Sequence, residues 1–517
     1  MDLRPILILG GGINGAALAR ELALNGQDVW LVEAADLAFG ATAYSSRLIH
    51  GGLRYLEFGD VPLVRESLTE RQRLLELASA WVHPLRLFIP VRSRFGGMLA
   101  AGARFVGLPF PLRHTPRGRF VVGIGLAWYD YLAGKGLPSR SLHRPGEEGV
   151  PAVDPRVARW LWAYSDAQIT YPERFVIALL ADARRLAEER GRELRVLTYA
   201  QARLRGRQVE IFHGDTQTPS QSLEPAAIVN ATGAWVDRTL ARLPVPSPPL
   251  MGGTKGSHFL TFHRPLVESL AGKGVYAEAR DGRPVFVLPL GEGALVGTTD
   301  IPFTGDPAEA VASEEELAYL LELVNELFPH AGLARQQIVM HQCGVRPLPR
   351  VDARTPAAIT RRHQLVWNDA APVLLVSLVG GKLTTCRSLA EEAAAAILGR
   401  LGRAVLTNSR QRPLLPTAVD LALGAPGQPP QAPLTDLARQ AIRDEWATRL
   451  EDLVERRLML HFSPDLKAPT LAALAEVLVQ EGRLPAEQAS QAVERCLQRL
   501  REHFGMAGLA LPATHGV

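Results

Sequence analysis

The sequence predicts an α/β fold built on a parallel sheet, joined by a second, β-rich domain and an all-helical C-terminal segment. Three observations carry this prediction. A short apolar run leads into clustered glycines and a helix near residue 10, a similar strand–glycine–helix pattern recurs near residue 380, and 3.6-residue periodicity dominates beyond residue 434. The chain has 517 residues, 47% apolar and 21% charged, too long for one core and too apolar for disorder. A prior of roughly 150 residues per domain gives about three domains. The net charge of +4 is a mild excess, and no nucleic-acid partner is expected. Cys343, Cys386 and Cys496 are too widely spaced for a disulfide framework or a CxxC pair, so no metal site is expected and a reducing compartment is. The apolar stretch after Met1–Pro5 stops at glycines and does not read as a secretory signal, and no run of roughly 18 apolar residues exists to span a bilayer. A cytoplasmic location follows as the expectation.

The first fifty residues are the most informative. Ile6–Leu9 is all apolar, as a buried parallel strand requires. Gly10, Gly12 and Gly15 then supply G-x-G-x-x-G, with Asn14 inside it, and Ala16 to Asn25 reads as a helix ended by Asn25-Gly26. Val29–Val32 is a second strand, and it ends at Glu33, 23 positions after Gly10. Gly10 permits the tight turn, Gly12 lets backbone N–H groups approach a pyrophosphate, and Gly15 lets helix and sheet pack closely. The helix N-terminus adds partial positive charge, and the Glu33 carboxylate can accept from ribose hydroxyls. The alternative is a mere glycine-rich turn, but strand, glycines, helix, strand and acid are all in register. A dinucleotide site is predicted.

Later segments decide between NAD and FAD. Thr42, Ser45 and Ser46 lie in a small, hydroxyl-rich stretch suited to a cofactor's phosphates and ribityl chain. Ala226–Asn230 is an apolar strand ending in the small turn Ala231-Thr232-Gly233, and Leu374–Val379 runs into Gly380-Gly381-Lys382-Leu383-Thr384. Three such segments over about 380 residues fit FAD stretched through a discontinuous, two-dinucleotide-binding-fold flavoprotein domain, and fit a single NAD module poorly.

With these residues in place, the chain resembles the FAD-dependent, quinone-linked (aerobic) glycerol-3-phosphate dehydrogenase family. The likeness rests on Gly10–Gly15, Leu48–Glu57 (LIHGGLRYLE), Asn230–Trp235 (NATGAW), Lys255–His258 (KGSH), Gly297–Asp300 (GTTD), Gly344–Pro347 (GVRP) and Gly380–Thr385 (GGKLTT). The tail from Glu445 to Arg457 is similar to the family's helical domain. The resemblance implies oxidation of sn-glycerol 3-phosphate to dihydroxyacetone phosphate, with hydride passing to flavin N5 and electrons to a membrane quinone. It places substrate contact on Arg54, Tyr55, Arg346, Arg361 and Lys382, because arginine forks and lysine point charges suit a phosphate dianion. The catalytic group set is His50, Arg346 and His258. Each histidine is a candidate base, the alternative being a structural role in orienting backbone or cofactor. Three departures from the family bear on pocket shape: Pro172 before Glu173-Arg174, Phe303 after the GTTD turn, and Cys386 after GGKLTT. Cys386 reads either as a helix-start thiol of lowered pKa or as a small buried residue.

Between Glu76 and Asp130 there is no acidic residue, while Arg86, Arg92, Arg94, Arg104, Arg113, Arg117 and Arg119 alternate with apolar and aromatic side chains. This composition suits an anionic membrane surface, where each cation gains about 1 kcal/mol. The alternative is a loop salt-bridged elsewhere in the chain. Peripheral attachment to the inner face of the cell membrane is the expectation. Domains are expected at 1–85, 155–250 and 345–400 (FAD), 86–154 and 251–344 (cap and substrate), 401–433 (linker) and 434–517 (helical). Within the cap, Glu314–Phe328 reads as a helix capped by Ser313, and in the tail Asp436–Leu460, Thr470–Glu481 and Ala486–Phe504 read as helices. Oligomeric state stays open, a homodimer included. So do other readings: a relative acting on another hydroxy acid or an amine, transfer to O₂, or a flavin-bound membrane scaffold without turnover.

Overall fold

The computed structural model describes residues 4–96, 117–134, 136–214, 216–350, 362–424 and 427–508. A six-stranded sheet has the order Gln364–Trp367, Leu374–Val379, Ala227–Asn230, Ile6–Leu9, Val29–Val32, Leu194–Leu197. All neighbours are parallel except the first pair. Strand residues alternate between two cores, as a period of two demands. Ile6 and Ile8 face the helices Ile13–Leu24, Pro172–Glu189 and Cys386–Arg400, packing with Leu18, Val176 and Leu389. Leu7 and Leu9 face the other way, toward Val209 and Ile211 of a small antiparallel sheet. Each such buried side chain contributes about 1.5–3 kcal/mol relative to exposure.

A ten-stranded mixed sheet forms the second body. Its main path runs Ile301–Pro302, Met251–Thr261, Gly293–Gly297, Pro284–Leu290, Gly274–Glu278, Val82–Val91, Trp160–Ile169, Leu48–Ile49, with Met340–Pro349 on Met251–Thr261 and Ser141–His143 on Trp160–Ile169. Strands Trp160–Ile169 and Met340–Pro349 thus pair here, across the sequence boundaries drawn at 155 and 345. Long-range hydrogen-bond pairing decides this, and local composition does not reveal it. The helix at Glu314–Leu327 carries the Ser313–Glu316 capping box and buries Leu317, Leu320 and Val324 under this sheet.

The C-terminal region is helical, but 436–460 is not one helix. Leu434–Asp444 stops, Trp446 takes a positive φ of 58°, and the chain restarts at Leu450 and passes into a π-turn, Leu453–Arg457. The restart is fixed by Asp452, whose carboxylate accepts from the N–H groups of Thr448 (2.9 Å) and Arg449 (2.8 Å). Ala468–Gln480 and Ala489–Phe504 complete the bundle. Inside the expected linker, Ala418–Leu423 is a helix capped by Thr417, and its Asp420 pairs with buried Arg174 at 2.7 Å. Arg174 also grips Glu445, so the Pro172–Glu189 helix of the nucleotide-binding body is tied to the C-terminal one.

His461 and His503 are buried in the C-terminal bundle, whose core also takes in Tyr44 and residues of the ten-stranded sheet, and each has one ring nitrogen without a hydrogen-bond partner among the described residues. Burial pushes their pKa values down, to about 3 and about 4, from the ordinary 6.5. The unfolded chain therefore binds protons that the folded chain refuses, so this stability is complete above pH 6.5 and is lost as pH falls toward 4. We expect the melting temperature to be flat above about pH 7 and to drop toward pH 5, where each histidine costs roughly 2 kcal/mol. Calorimetry across that range checks this, and His461→Gln should flatten the slope.

Candidate dinucleotide and substrate site

The carboxyl ends of the parallel strands open into a cavity of ≈ 570 Å³ whose other wall is the ten-stranded sheet. Gly10 and Gly12 line it, and Gly15 lies beneath. Gly10 has φ +107°, and a Cβ there would sit 2.7 Å from the Ala231 carbonyl oxygen. A Cβ on Gly15 would stand 1.9 Å from the Gly10 oxygen, so the turn tolerates no side chain at either place. The N-cap residue of the helix Ile13–Leu24 is Gly12, which has no side chain to cap it, so apart from Ile13 N–H, taken by Thr42, the first turn is left to a ligand. The Glu33 carboxylate, at the mouth of the second strand, accepts from Gly11 N–H (2.7 Å) and Ala35 N–H (2.8 Å). Dehydration pushes its pKa up while those N–H groups pull it down. Asn14 lines the cavity, and its buried Oδ1 has no hydrogen-bond partner among the described residues.

Hydroxyls of the 41–46 stretch knit the wall. Thr42 Oγ1 accepts from Ile13 N–H at 3.1 Å, Ser45 Oγ accepts from Arg47 N–H at 3.3 Å, and Ser46 Oγ meets His258 Nε2 at 2.9 Å. Ala231, Thr232 and Gly233 line one end, and Gly381, Lys382, Leu383 and Thr384 another. His50 and His258 both face the same space. His258 is buried, with Nδ1 unpartnered among the described residues, and burial followed by the cations Arg346 and Arg47 pushes its pKa down to about 3. It is a neutral ring. Arg346 is held by Asp300 (3.0 Å), Thr298 Oγ1 (2.9 Å) and the Thr299 carbonyl (3.1 Å). A Cβ at Gly256 would meet its guanidinium at 2.2 Å, which explains the glycine of KGSH. Lys382 Nζ lies 4.0 Å from the centre of the Tyr55 ring and 3.3 Å from Ser67 Oγ.

A scan against protein-family models matches residues 5–387 to the FAD-dependent oxidoreductases. The chain is 30% identical to the glycerol-3-phosphate dehydrogenase of Synechocystis over 98% of its length and 91% of that protein. It is 34% identical to the aerobic glycerol-3-phosphate dehydrogenase of Escherichia coli over 76% of this chain and 73% of that one. A D-erythritol 1-phosphate dehydrogenase of Brucella abortus shares 33% over 75% and 72%. The chain belongs to the FAD-dependent glycerol-3-phosphate dehydrogenase family. The fold agrees: a glycerol-3-phosphate dehydrogenase from Bacillus halodurans solved with FAD superposes with a TM-score of 0.71, at 19% identity, over 97% of this chain and 95% of that one.

FAD is accordingly this flavoprotein's cofactor, and the cradle fits it: two glycines that exclude side chains, a helix N-terminus with glycine at its N-cap, an anchored carboxylate and an unsatisfied amide oxygen. The structure distributes the other site residues unevenly. Tyr55, Arg346 and Lys382 line the cavity with His50 and His258. Arg54, half-buried on the turn Leu53–Phe58, is not among the lining residues, and Arg361 lies outside the described residues. Cys386 is buried and its thiol is pushed up to about 12 by burial, so it is no reactive thiolate. Phe303 packs with Ala310, Cys343 and Val345.

Two features escape sequence reasoning. Arg47 lines the cavity yet is fully buried, with two guanidinium nitrogens on Glu173 (2.6 and 3.1 Å). The other is a network under the His50 turn. Gly51 N–H donates to Tyr129 Oη (2.9 Å), Tyr129 donates to Asp166 Oδ1 (2.7 Å), and Arg71 donates to the same oxygen (2.7 Å). Their separations of 78 and 115 residues from Gly51 leave no local signal. The network fixes the backbone beside His50 from within. Tyr129→Phe should keep FAD bound, cost about 1–2 kcal/mol of stability and lower kcat/KM about tenfold. Flavin content, melting temperature and steady-state kinetics of the variant test this.

Proposed function

We propose that the protein oxidises sn-glycerol 3-phosphate to dihydroxyacetone phosphate and delivers the electrons to a membrane quinone. The observation that carries this reading is the convergence of Arg346 and Lys382 on the cavity beside two histidines, since such cations suit a phosphate dianion. Bound FAD supplies the two-electron acceptor. Arg346 presents its fork from a frame made rigid by Asp300 and the 298–299 turn, and Lys382 adds a point charge steadied by Tyr55. His258, held neutral and far below the usual imidazole range, is a weak base. We assign proton removal from the C2 hydroxyl to His50, whose backbone N–H donates to Thr384 Oγ1 at 3.2 Å, and hydrogen-bonded orientation of the wall to His258 with Ser46. The Brucella relative favours one second reading, a longer polyol phosphate gripped by the same cations.

Anaerobic bleaching of the flavin spectrum separates these readings. Glycerol 3-phosphate should bleach it, glycerol and lactate should not, and erythritol phosphate reports on pocket length. Equal bleaching by glycerol would overturn the phosphate clamp. Arg346→Met should lower kcat/KM by roughly two orders of magnitude, since a charge-assisted hydrogen bond contributes about 1.5–3 kcal/mol.

The acceptor reading rests on the helix Arg119–Ala133. Val122, Leu126 and Tyr129 are buried, while Phe120, Ile124 and Tyr131 are exposed on another face, Tyr131 by 82%. Phe95 stacks on Phe120 and extends this apolar surface, and Arg119 and Arg94 lie over Trp160 beside it. Two arginines of the acid-free stretch are instead engaged within the protein: Arg86 donates to Pro138 O, Ser165 and Ser141, and Arg117 pairs with Glu278. Arg104, Arg113 and the apolar residues between them lie outside the described residues. No helix among the described residues is long and apolar enough to cross a membrane. Replacing Phe120 and Ile124 by Glu should release the protein from anionic vesicles in a flotation assay and depress quinone reduction. Reduction of a water-soluble dye should persist. Retained flotation would sink the membrane reading, and efficient turnover with O₂ alone would favour an oxidase.

A further inference from the structure

The segment from Glu33 to Arg47 contains no helix or strand, yet it supplies Phe39, Thr42, Tyr44, Ser46 and Arg47 to the cavity wall. Its shape is therefore imposed from outside. Near its start, Asp36 is fully buried, and its carboxylate receives Arg456 Nε at 2.5 Å and both terminal nitrogens of Arg457 at 2.9 and 2.8 Å. Arg457 is in turn fixed by the Glu445 carbonyl at 2.9 Å. Midway, Arg499 donates to Tyr44 Oη at 3.2 Å and to Glu455 at 2.5 and 3.0 Å, and its guanidinium carbon lies 5.6 Å from the centre of the Phe39 ring. At the end, Arg47 stacks on Phe462 at 4.4 Å. All these gripping residues lie between 445 and 504, beyond the stretch 5–387 that matches the oxidoreductase family model.

We propose that the C-terminal helical bundle is a clamp for the FAD-binding loop, and that Arg456, Arg457 and Arg499 are positioning residues for the cofactor. A buried carboxylate is tolerated only with cations against it. Without Arg456 and Arg457, Asp36 moves toward water and takes the chain leading to Phe39 and Thr42 with it. Thr42 is the residue that meets the helix N-terminus at Ile13, so the disturbance reaches the pyrophosphate cradle directly. Holding the loop in the bound shape before FAD arrives removes an ordering cost from binding. The inference rests on the cofactor and not on the proposed substrate or acceptor.

The test compares full-length wild type with Arg457→Met, Arg457→Lys and Arg499→Met, measuring FAD release by flavin fluorescence on dilution and amide exchange over residues 34–46. Both Met variants should raise the FAD dissociation constant about tenfold, Arg457→Lys should recover part of it, and exchange in 34–46 should quicken. Should Arg457→Met not fold, Arg499→Met decides, since that side chain is partly exposed and Glu455 keeps Arg456 as a partner. Folded variants that retain FAD as the wild type does, with 34–46 still protected, overturn the proposal. No substrate enters these measurements, so they fail or succeed apart from the bleaching experiment.

Discussion

Leu9, Asn230 and Ser377 stand level across three parallel strands, and that register places the turns after them side by side at one edge of the sheet. Gly10 then lies against the Ala231 carbonyl, and Asn14 Nδ2 donates to the Gly380 carbonyl at 3.5 Å. A slip of one residue in any of the three would turn its side chains to the wrong core and separate the turns. The second sheet obeys the same constraint. Gly256 stands opposite Gly344 and Thr254 opposite Arg346, so the Arg346 guanidinium reaches across a strand that offers no side chain in its way. The cofactor cradle and the place of Arg346 in the cavity wall are set by backbone pairing before any side chain is chosen.

Around this frame lie two kinds of buried or half-buried charge. Arg47–Glu173, Arg71–Asp166, Arg174–Glu445 and Arg457–Asp36 are sealed pairs, each side chain 3% exposed or less. Removing one member of such a pair costs about 3–5 kcal/mol, because the other is left buried and uncompensated. Arg346 and Lys382 differ, for they face the cavity and their side chains stay accessible from it. Charge alone does not separate an arginine sealed in the fold from one that faces a cavity. What surrounds it does.

This distinction also explains what was legible in the sequence. The strands Ile6–Leu9 and Val29–Val32, the glycines and Glu33 are contiguous, so spacing alone orders them. The cap helix is announced by Ser313 and the acids after it. Within the LIHGGLRYLE motif, the short turn Leu53–Phe58 brings Tyr55 to the cavity wall, a placement that the order of residues in the motif does not reveal. The role of Arg47 was hidden because its partner Glu173 is 126 residues away. The helix expected over 436–460 breaks at Trp446, whose φ is positive, and restarts at Leu450 on Asp452, neither of which periodicity can register. Contiguous chemistry is readable; chemistry assembled by pairing at long range is not.

The helix Arg119–Ala133 joins the two levels of organisation. Its inner face needs cover and finds it in Val64, Leu68 and Leu85, while its Tyr129 hydroxyl is committed to the Gly51 turn beside His50. Its outer face is also apolar, and among the described residues Ile124 and Tyr131 stay largely exposed. In water such a face gains nothing from a helix that could carry polar residues there at no loss to the core. A face of this kind is favourable where the surroundings are themselves apolar. The side that supports the His50 turn and the exposed apolar side are then two faces of one 15-residue element, and in the proposed function this ties the geometry around His50 to the surface proposed to meet the membrane.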